Sequence, residues 1–518
     1  MIHSLNSTEN NIIQKIPFQK KHTRLKELHQ TKDSVISTLQ SQGYFSLSIT
    51  DSVKKNNSYV FNLNLGQKTH IAIVSYNKKH QATLEALSLH TSNSTIKIDI
   101  QHLKQTLSNI QHYYSEKGQS FTITSLKNIL IKKDTLYAKL HIENKQQRVV
   151  DKIIVKGYDG FSSNYLKRYL NLNKHTIFNK DLISKISQRT NQLNFIKEIK
   201  TPEVLFSKDS TILYIYLNKQ KANTFDGLIN FSTENNSLQL RGYLDINLIN
   251  TLNYGETLGI NWKNNGNNSQ LFIFKSNLPY LFKSNITANL NFQIFRQDST
   301  FTNIATAISF QYPVNQLSRV HFIYNNEKSS TGNNDPEVTN YHKRMFGLGY
   351  SYFANQPNNF QFNINALYGK KIASNTRQAL ISFDLLKKIK LNNKLDWVVI
   401  NKTSKLFSKN IVVNELFREG GSNSIRGFKE QSILSSAYSY LKNELRLKAT
   451  GKSYLYSIHD VGYFELKNQN NILFSLGIGY QKQNSNNSID IAYIFGRSNK
   501  QSSISNSSYI SIKMLTYF

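Results

Sequence analysis

The sequence predicts three tandem α+β modules followed by a closed 16-stranded antiparallel transmembrane β-barrel. Three observations lead to this fold class. A pattern of an amphipathic helix followed by strands repeats at a regular interval in the first half of the 518-residue chain. After residue 223 the helical period gives way to long alternating strands. The chain also contains 29 Tyr and 30 Phe, which suits aromatic bands at the edges of a membrane-spanning barrel.

Composition excludes several classes of protein. Without Cys the chain has no disulfide scaffold, thiolate metal site or cysteine nucleophile. Only 39% of its residues are hydrophobic, and no segment approaches the ~18 consecutive apolar residues of a membrane-spanning helix. Residues 1–14 are polar and lack the apolar core of a secretion signal. The sequence therefore leaves open whether such a signal has been removed.

The first half of the chain is predicted to contain three modules of similar size. Between residues 98 and 114, apolar side chains recur at spacings of three and four, as on one face of a helix: Ile100, Leu103, Leu107, Ile110 and Tyr114. Gly118 follows this helix, and Gly43 follows the preceding helix 75 residues earlier. The opening strand of the first module is placed only as a candidate, at Ile12–Ile16. The predicted modules cover residues 1–67, 68–146 and 147–222, with the first open to being incomplete.

Residues 223–518 are predicted to form the barrel. Apolar and polar side chains alternate in many segments, as where Phe360, Phe362 and Ile364 alternate with Gln361 and Asn363. We place 16 such segments, many of them close to the ~9–11 residues that a membrane-crossing strand needs. An even number of long antiparallel strands favours a closed barrel with an apolar exterior and a wet lumen. A soluble β protein with aromatic core residues is the alternative.

A glycine-rich segment lies between the eleventh and twelfth predicted strands. It runs from Arg418 to Phe428 and ends in Ile425, Arg426, Gly427 and Phe428. Its glycines permit tight turns with positive φ, and Arg426 offers a rigid fork of hydrogen-bond donors. Considered alone, the segment is more typical of a surface hairpin with a solvated arginine.

This segment closely resembles the (V/I)RGF loop of the outer-membrane assembly superfamily that includes BamA, TamA and the two-partner secretion transporters. Further segments resemble the same superfamily at the corresponding places: Asn250–Glu256 (NTLNYGE), Asn443-Glu444-Leu445, His459-Asp460-Val461-Gly462 and the terminal Phe518. The N-terminal modules resemble its POTRA domains, which have the order β-α-α-β-β. The resemblance covers nearly the whole chain and favours the BamA/TamA assembly branch.

The resemblance implies a site in the lumen and a lateral seam. In the superfamily the loop folds back into the barrel, so Arg426 is expected to pair with Asp460, with Glu444 as a second candidate. A guanidinium in a partly dehydrated lumen needs such a carboxylate partner. The first and last strands would meet at a seam that opens sideways. The residues assigned to this seam are Gly227, Leu228, Ile229, Ile510, Ile512 and Phe518.

The resemblance further implies a function and a location. We expect a bacterial outer-membrane factor whose periplasmic POTRA-like modules bind unfolded outer-membrane or secreted polypeptides. The laterally gated barrel would then insert or export them. The lipid bilayer and accessory lipoproteins are the other candidate partners. Two alternatives stay open: a two-partner-type transporter that exports one dedicated protein through the lumen, and a passive porin.

No enzymatic activity, metal, cofactor or nucleic-acid partner is expected. The sequence contains no G-x-S-x-G, Walker A or H-E-x-x-H motif, and its 13 His are scattered. The net charge of +32 at first suggests nucleic-acid binding. The lysines of the chain, however, lie in pairs at predicted turns and strand ends, such as Lys20-Lys21 and Lys370-Lys371. They do not form the single basic stripe that is typical of a nucleic-acid-binding surface. We interpret the charge as spread over solvated surface that meets acidic lipid headgroups or polypeptides.

Overall fold

The computed structural model of the chain describes residues 2–55, 58–173, 175–208, 210–234, 237–264, 269–332, 337–354, 359–449, 452–467, 469–484, 486–499 and 508–518. The chain groups into two compact units, which are described separately. The first comprises Met1–Ile154, Leu172–Arg189 and Thr201–Ile215. The second comprises Val155–Asn171, Thr190–Lys200 and Tyr216–Phe518. No helix among the described residues is long and apolar enough to cross a bilayer.

The first unit begins with a small α+β module. Its elements are β1 (Ile2–His3), α1 (Ser7–Gln14), α2 (Leu25–Ser41), β2 (Ser48–Lys55) and β3 (Ser58–Asn64). The sheet order is β1-β3-β2, with β1 parallel and β2 antiparallel to β3. The candidate opening strand at Ile12–Ile16 is wrong, because α1 and the turn that ends it occupy this segment. Ile13 of α1 and Ile16, just after the helix, both pack into the module core.

A second module follows in the same unit. Its elements are β4 (Ile71–Ser75), α3 (Gln81–Ala86), β5 (Thr91–Ser92), β6 (Thr95–Asp99), α4 (Ile100–Glu116), β7 (Ile123–Lys132) and β8 (Thr135–Glu143). The sheet order is β5-β6-β4-β8-β7. Helix α4 is the helix predicted from the apolar spacing, and Asp99 caps it by accepting the N–H of Gln101 at 3.0 Å. Its predicted apolar residues pack into the module core, with only Leu107 partly buried.

A third set of elements is divided between the two units. It comprises β9 (Lys152–Lys156), α5 (Ser163–Tyr169), α6 (Lys180–Thr190), β10 (Ile196–Phe206) and β11 (Thr211–Lys219), with the sheet order β10-β11-β9. Ser162 caps α5 by accepting the N–H of Tyr165 at 3.2 Å. The first and third sets follow the order β-α-α-β-β, and the second inserts β5 and β6 between its helices.

Sixteen antiparallel strands of the second unit close into a barrel. The strands from β12 to β22 are β12 (Thr224–Glu234), β13 (Ser237–Ile249), β14 (Thr257–Asn264), β15 (Gln270–Leu278), β16 (Thr287–Gln297), β17 (Phe301–Pro313), β18 (Ser318–Thr331), β19 (Tyr341–Ala354), β20 (Phe360–Lys371), β21 (Arg377–Lys390) and β22 (Leu395–Ser408). Two short strands, β23 (Phe417–Glu419) and β24 (Ile433–Ser435), form a separate sheet. The barrel continues with β25 (Ala437–Lys448), β26 (Tyr454–Leu466), β27 (Gln469–Gln483), β28 (Asn487–Ser498) and β29 (Ser508–Tyr517). The predicted fold class is confirmed.

The barrel presents apolar side chains on its exterior. On β19, Phe346 and Leu348 are 54% and 70% exposed, whereas the neighbouring Met345 is buried at 1%. On β29, Ile510 and Ile512 are 70% and 67% exposed. An exterior of this kind suits lipid hydrocarbon better than water, and it follows directly from the alternation seen in the sequence.

Candidate functional site

Residues 409–436, which connect β22 to β25, form the candidate functional site, and we call them the lumen loop. Within it β23 and β24 pair antiparallel, with Phe417 opposite Ser435. The glycine-rich segment between these two strands folds against β25, β26, β27 and β28. Ile425 is fully buried and Arg426 is only 7% exposed. The segment is therefore not a solvated surface hairpin.

Arg426 binds both carboxylates assigned to it. Its Nε and Nη2 atoms donate to the two oxygens of Asp460 at 2.8 and 2.6 Å, which is a bidentate bond. Its Nη1 atom donates to Oε1 of Glu444 at 2.5 Å. The side chain of Asp460 is fully buried and that of Glu444 is 10% exposed. The guanidinium thus has carboxylate partners on two sides.

The register of β25 and β26 places these two carboxylates together. Lys442 of β25 lies opposite Asp460 of β26, and Glu444 lies opposite Ile458. Glu444 and Asp460 are therefore diagonal neighbours on the same face of the sheet, within reach of one long side chain. Lys442 shares this face and donates from Nζ to the carbonyl of Ser422 at 3.0 Å. This face of β25 and β26, which forms part of the barrel wall, thus carries both acidic residues and a lysine that donates a hydrogen bond to the main chain of the lumen loop.

The buried carboxylate of Asp460 depends on Arg426 for a compensating positive charge, whereas that of Glu444 does not. Glu444 has a second cationic partner, because Arg446 donates to its Oε2 from Nε at 2.8 Å. Among the described residues, Arg426 is the ion-pair partner of Asp460. Removing one partner of a buried ion pair typically costs about 3–5 kcal/mol, because the other charge is left uncompensated. The arrangement therefore fixes the loop strongly to the wall.

Gly427 has a backbone position that only glycine fits. Its φ is +78°, and a Cβ atom there would lie 2.8 Å from the main-chain nitrogen of Gly496 on β28. Beside it, the hydroxyl of Ser475 on β27 donates to the carbonyl of Arg426. The sequence reasoning did not identify Gly496 or Ser475. A glycine inside a predicted strand often indicates the close approach of another backbone. The contact at Gly496 could therefore have been predicted from the sequence.

Apolar side chains also attach the lumen loop to the barrel wall near Arg426. Ile425 packs in a buried cluster with Tyr440, Phe464 and Leu473, and Phe428 packs against the same cluster. Gly462 has no room for a side chain, since a Cβ atom would lie 2.8 Å from Cδ1 of Ile425. The glycine of the predicted D-x-G segment thus makes space for the residue that precedes Arg426.

The lumen loop has a second attachment, around Glu415, that the sequence reasoning missed. Lys371 of β20 lies 2.7 Å from Oε2 of Glu415, and Lys343 of β19 lies 3.6 Å from Oε1. Gln378 of β21 donates to Oε1 at 2.6 Å. Lys343 also pairs with Glu327 of β18 at 3.0 Å. The side chain of Glu415 is fully buried, so this end of the loop is held by a different set of strands from those around Arg426.

The closing seam lies between the two strands assigned to it, but its paired residues differ from those named in the sequence. Among the described residues, β12 and β29 are in register only at Thr224 with Tyr517 and at Phe225 with Thr516. The N–H of Phe518 also donates to the carbonyl of Asn223 at 3.1 Å. The register does not pair the residues Gly227, Leu228 and Ile229 with Ile510 or Ile512. Those three β12 residues instead pair with β13, and Ile510 and Ile512 pair with β28.

The described residues contain one group that could hold a metal ion. His112 and Glu116 of α4 and Asp181 of α6 place one ligand atom each within 4.8 Å of one another. All three side chains are exposed, and an exposed group of this kind is common without an ion. The expectation of no metal stays a prediction.

Comparisons with known proteins identify the architecture. The family model of the haemolysin secretion/activation protein ShlB/FhaC/HecB matches residues 349–482. BamA from Haemophilus ducreyi lacking POTRA domains 1–3 matches with a TM-score of 0.53 and 14% identity, over 87% of this chain and 100% of that chain. CdiB from Acinetobacter baumannii matches at 0.51 and 14%, over 95% and 97%. CdiB from Escherichia coli matches at 0.54 and 12%, over 95% and 98%.

These likenesses establish the fold. The N-terminal modules and 16-stranded barrel of this chain share their fold with BamA over 87% and with CdiB from Escherichia coli over 95% of the chain. The matched family segment, residues 349–482, includes the whole lumen loop together with Glu444 and Asp460. BamA and CdiB match about equally well, so the fold alone does not separate the assembly branch from the secretion branch.

Proposed function

We propose that this chain is a bacterial outer-membrane assembly factor. Its N-terminal modules lie in the periplasm and bind unfolded polypeptides, and its barrel inserts them into the bilayer through the seam between β12 and β29. The proposed function needs no catalytic chemistry, cofactor or nucleic acid. The likeness to BamA, together with the seam described next, supports this proposal.

The short seam is the observation that carries the proposal. Among the described residues, β12 pairs with β13 at 11 positions and β28 pairs with β29 at nine, whereas β12 and β29 pair at two. Strand edges that are not paired present free N–H and C=O groups, which template the addition of another strand. Within the part of the barrel that the structure describes, opening this seam disrupts much less pairing than opening the barrel between any other two strands.

The modules offer a surface suited to unfolded polypeptides. Strand β7 lies at the edge of the second module's sheet, where an extended chain can add as a further strand. Ile123, Ile129 and Leu130 on this strand are more than half exposed. An open edge flanked by exposed apolar side chains provides both main-chain hydrogen bonds and apolar contacts to an unfolded client.

Export of one dedicated partner through the lumen is a second candidate function. The match of residues 349–482 to the secretion/activation family model favours it. Under this function the lumen loop must leave the lumen, and the bonds of Arg426 to Glu444 and Asp460 must break during export. The seam between β12 and β29 can then stay closed, and this difference separates the two functions.

A disulfide across the seam tests the proposal. The chain has no native Cys, so Phe225→Cys with Thr516→Cys introduces a single pair at opposed positions of the seam. Opposed Cα atoms in an antiparallel ladder lie about 4.5–5.5 Å apart, within the range that a disulfide spans. We expect the oxidised variant, reconstituted in proteoliposomes, to lose insertion of a reporter barrel protein and to regain it on reduction.

A matched disulfide in a permanent ladder serves as the control. Ile491→Cys with Ile512→Cys joins β28 to β29, which are paired along most of their length, and should leave insertion unchanged. Undiminished insertion by the oxidised seam variant would contradict the assembly function. If that variant also exported a co-expressed secreted partner normally, the second candidate would be supported.

A further inference from the structure

A mainly apolar pocket lies within the second unit, at the end of the barrel where β12 begins, and we call it the turn pocket. Helix α5 forms one wall, and the turns of residues 250–256 and 279–286 form the others. The pocket has a volume of 310 Å³. Its apolar and aromatic lining includes Tyr165, Leu252, Tyr254, Leu278, Tyr280 and Phe282.

The wall between α5 and the first turn is tightly built. A Cβ atom on Gly255 would lie 2.0 Å from the ring of Tyr165, so the turn packs directly on that ring. The hydroxyl of Tyr158 donates to Oδ1 of Asn253 at 2.7 Å, and Nδ2 of Asn250 donates to the Tyr158 oxygen at 3.0 Å. These contacts fix the first turn of the pocket against α5 and the segment that precedes it.

The second turn carries backbone strain that exposes an aromatic side chain. Tyr280, Phe282 and Lys283 have φ values of 58°, 49° and 61°, a left-handed conformation that is unusual for residues with large side chains. Phe282 is nevertheless 92% exposed, so its position is not explained by burial within the chain. Strain that presents an apolar ring to the outside indicates a partner for that ring.

The rim of the pocket is positively charged. Arg168 donates from Nη2 to the carbonyl of Lys283 at 2.8 Å and from Nη1 to Oδ1 of Asn285 at 3.1 Å, both neutral acceptors. Among the described residues, neither Arg168 nor Lys283 has an acidic partner. Glu256 also lines the pocket, but its two oxygens accept the N–H groups of Leu252 and Tyr254 at 2.6 and 3.0 Å. The two cations of Arg168 and Lys283 thus outnumber the single carboxylate of Glu256, whose oxygens are already occupied by main-chain donors, so the rim is cationic on balance.

The pocket continues the outward surface of the barrel. Phe272, Phe274 and Leu278 lie at alternate positions of β15 and therefore share one face of the barrel wall. Leu271 and Ile273 lie on the opposite face and line a cavity inside the barrel. Leu278 therefore belongs to the outward set, and it is also part of the pocket lining. A ligand in the turn pocket would lie at the edge of the apolar band that contacts lipid chains.

We propose that the turn pocket binds an anionic phospholipid of the membrane leaflet at this end of the barrel. An acyl chain occupies the apolar cavity against Phe282, and the phosphodiester group contacts Arg168 and Lys283. Guanidinium and ammonium groups recognise phosphate oxygens through charge-assisted hydrogen bonds, and aromatic rings are favoured at the membrane–water boundary. The proposal rests on the membrane placement given under the proposed function.

A tryptophan reporter in brominated lipid tests this proposal. The chain contains two tryptophans, Trp262 and Trp397, which are replaced by Phe so that Phe282→Trp supplies the single reporter. In vesicles containing phospholipid brominated on its acyl chains, we expect strong quenching of this reporter. Quenching should be greater with brominated phosphatidylglycerol than with brominated phosphatidylcholine at equal mole fraction. Arg168→Gln with Lys283→Gln should reduce that preference roughly 25-fold, since each basic residue near anionic lipid contributes about a fivefold preference.

Two controls separate this proposal from the membrane placement itself. Leu348→Trp on the barrel exterior, at a position 70% exposed, reports whether the barrel lies in the bilayer at all. Lys390→Gln with Lys394→Gln removes two exposed charges near another turn and should leave the lipid preference intact. Absence of quenching at both reporters would overturn the proposed function. Quenching at position 348 alone, equal quenching by both lipids, or relief of quenching by an unfolded polypeptide would overturn the lipid site.

Discussion

Gly496 of β28 and Gly427 of the lumen loop lie backbone against backbone. A Cβ atom on Gly496 would lie 2.2 Å from the carbonyl oxygen of Gly427 and 3.1 Å from the ring of Phe428. The loop can therefore dock on the wall only because the strand has no side chain at this position. Arg426 reaches its carboxylates from a backbone that these two glycines bring close to the wall.

Substitution of Gly496 by Ala should release this part of the loop. The new Cβ meets main-chain atoms that cannot move aside alone, and overpacking of this kind costs about 1–3 kcal/mol. We expect faster trypsin cleavage after Arg426 and Lys429 in the folded, detergent-solubilised protein. Gly259→Ala on β14 is the matched control, because its nearest neighbouring atom would be 3.8 Å away. Equal cleavage rates in the two variants would contradict the tight docking.

Loss of the Arg426 guanidinium should weaken both the barrel and its activity. Arg426→Ala leaves the buried carboxylate of Asp460 without a cation, at a cost of about 3–5 kcal/mol. Arg426→Lys should recover part of this loss, because an ammonium is a point charge and lacks the guanidinium fork. The midpoint of thermal unfolding in detergent and insertion of a reporter barrel measure the two effects. Lys429→Ala, an exposed position in the same loop, should change neither, and wild-type behaviour of Arg426→Ala would refute the role.

Local patterns were sufficient to predict the elements that bury or expose one face. The spacing from Ile100 to Tyr114 predicted α4, because a helix must bury a continuous stripe. Alternation predicted the barrel strands, because outward side chains must be apolar and inward ones need not be. The partners of Arg426 came from the resemblance of short motifs, and the register of β25 and β26 explains why those carboxylates share a face.

Register over long distances could not be predicted. Lys343, Lys371 and Gln378 meet Glu415 only because β19, β20 and β21 are aligned along their length, and no local motif encodes that alignment. The seam shows the same limit, since it pairs Thr224 and Phe225 with β29 and not the residues a few positions further along. The closing register of a barrel depends on the summed stagger of all its strands.

The second attachment of the lumen loop should be as important as the first. Glu415→Ala leaves Lys371 without the carboxylate that lies 2.7 Å away and removes one of the two partners of Lys343, so we expect destabilisation of about 3–5 kcal/mol. Glu430→Ala is a milder comparison, because its partner Lys263 is more exposed than either lysine at Glu415. Chemical unfolding of the two variants measures the difference. Equal stabilities would show that burial of Glu415 contributes nothing.

The second module should lose stability in mild acid through His80. This side chain is buried at 4% exposure, and its Nδ1 lies 2.9 Å from the Tyr114 hydroxyl. Burial, and secondarily the charge of Lys79, lowers the pKa of His80 below the ordinary 6.5. The unfolded module then binds the proton more readily than the folded one, so stability is complete above pH 6.5 and falls as the pH drops toward the lowered value. Amide hydrogen exchange of α4 in the full chain should therefore accelerate between pH 7.5 and 5.5, after correction for the intrinsic rate.

Two histidine variants test this assignment. His80→Gln should remove the pH dependence, whereas His102→Gln, at an exposed position on α4, should retain it. An unchanged dependence in His80→Gln would assign the effect to another group.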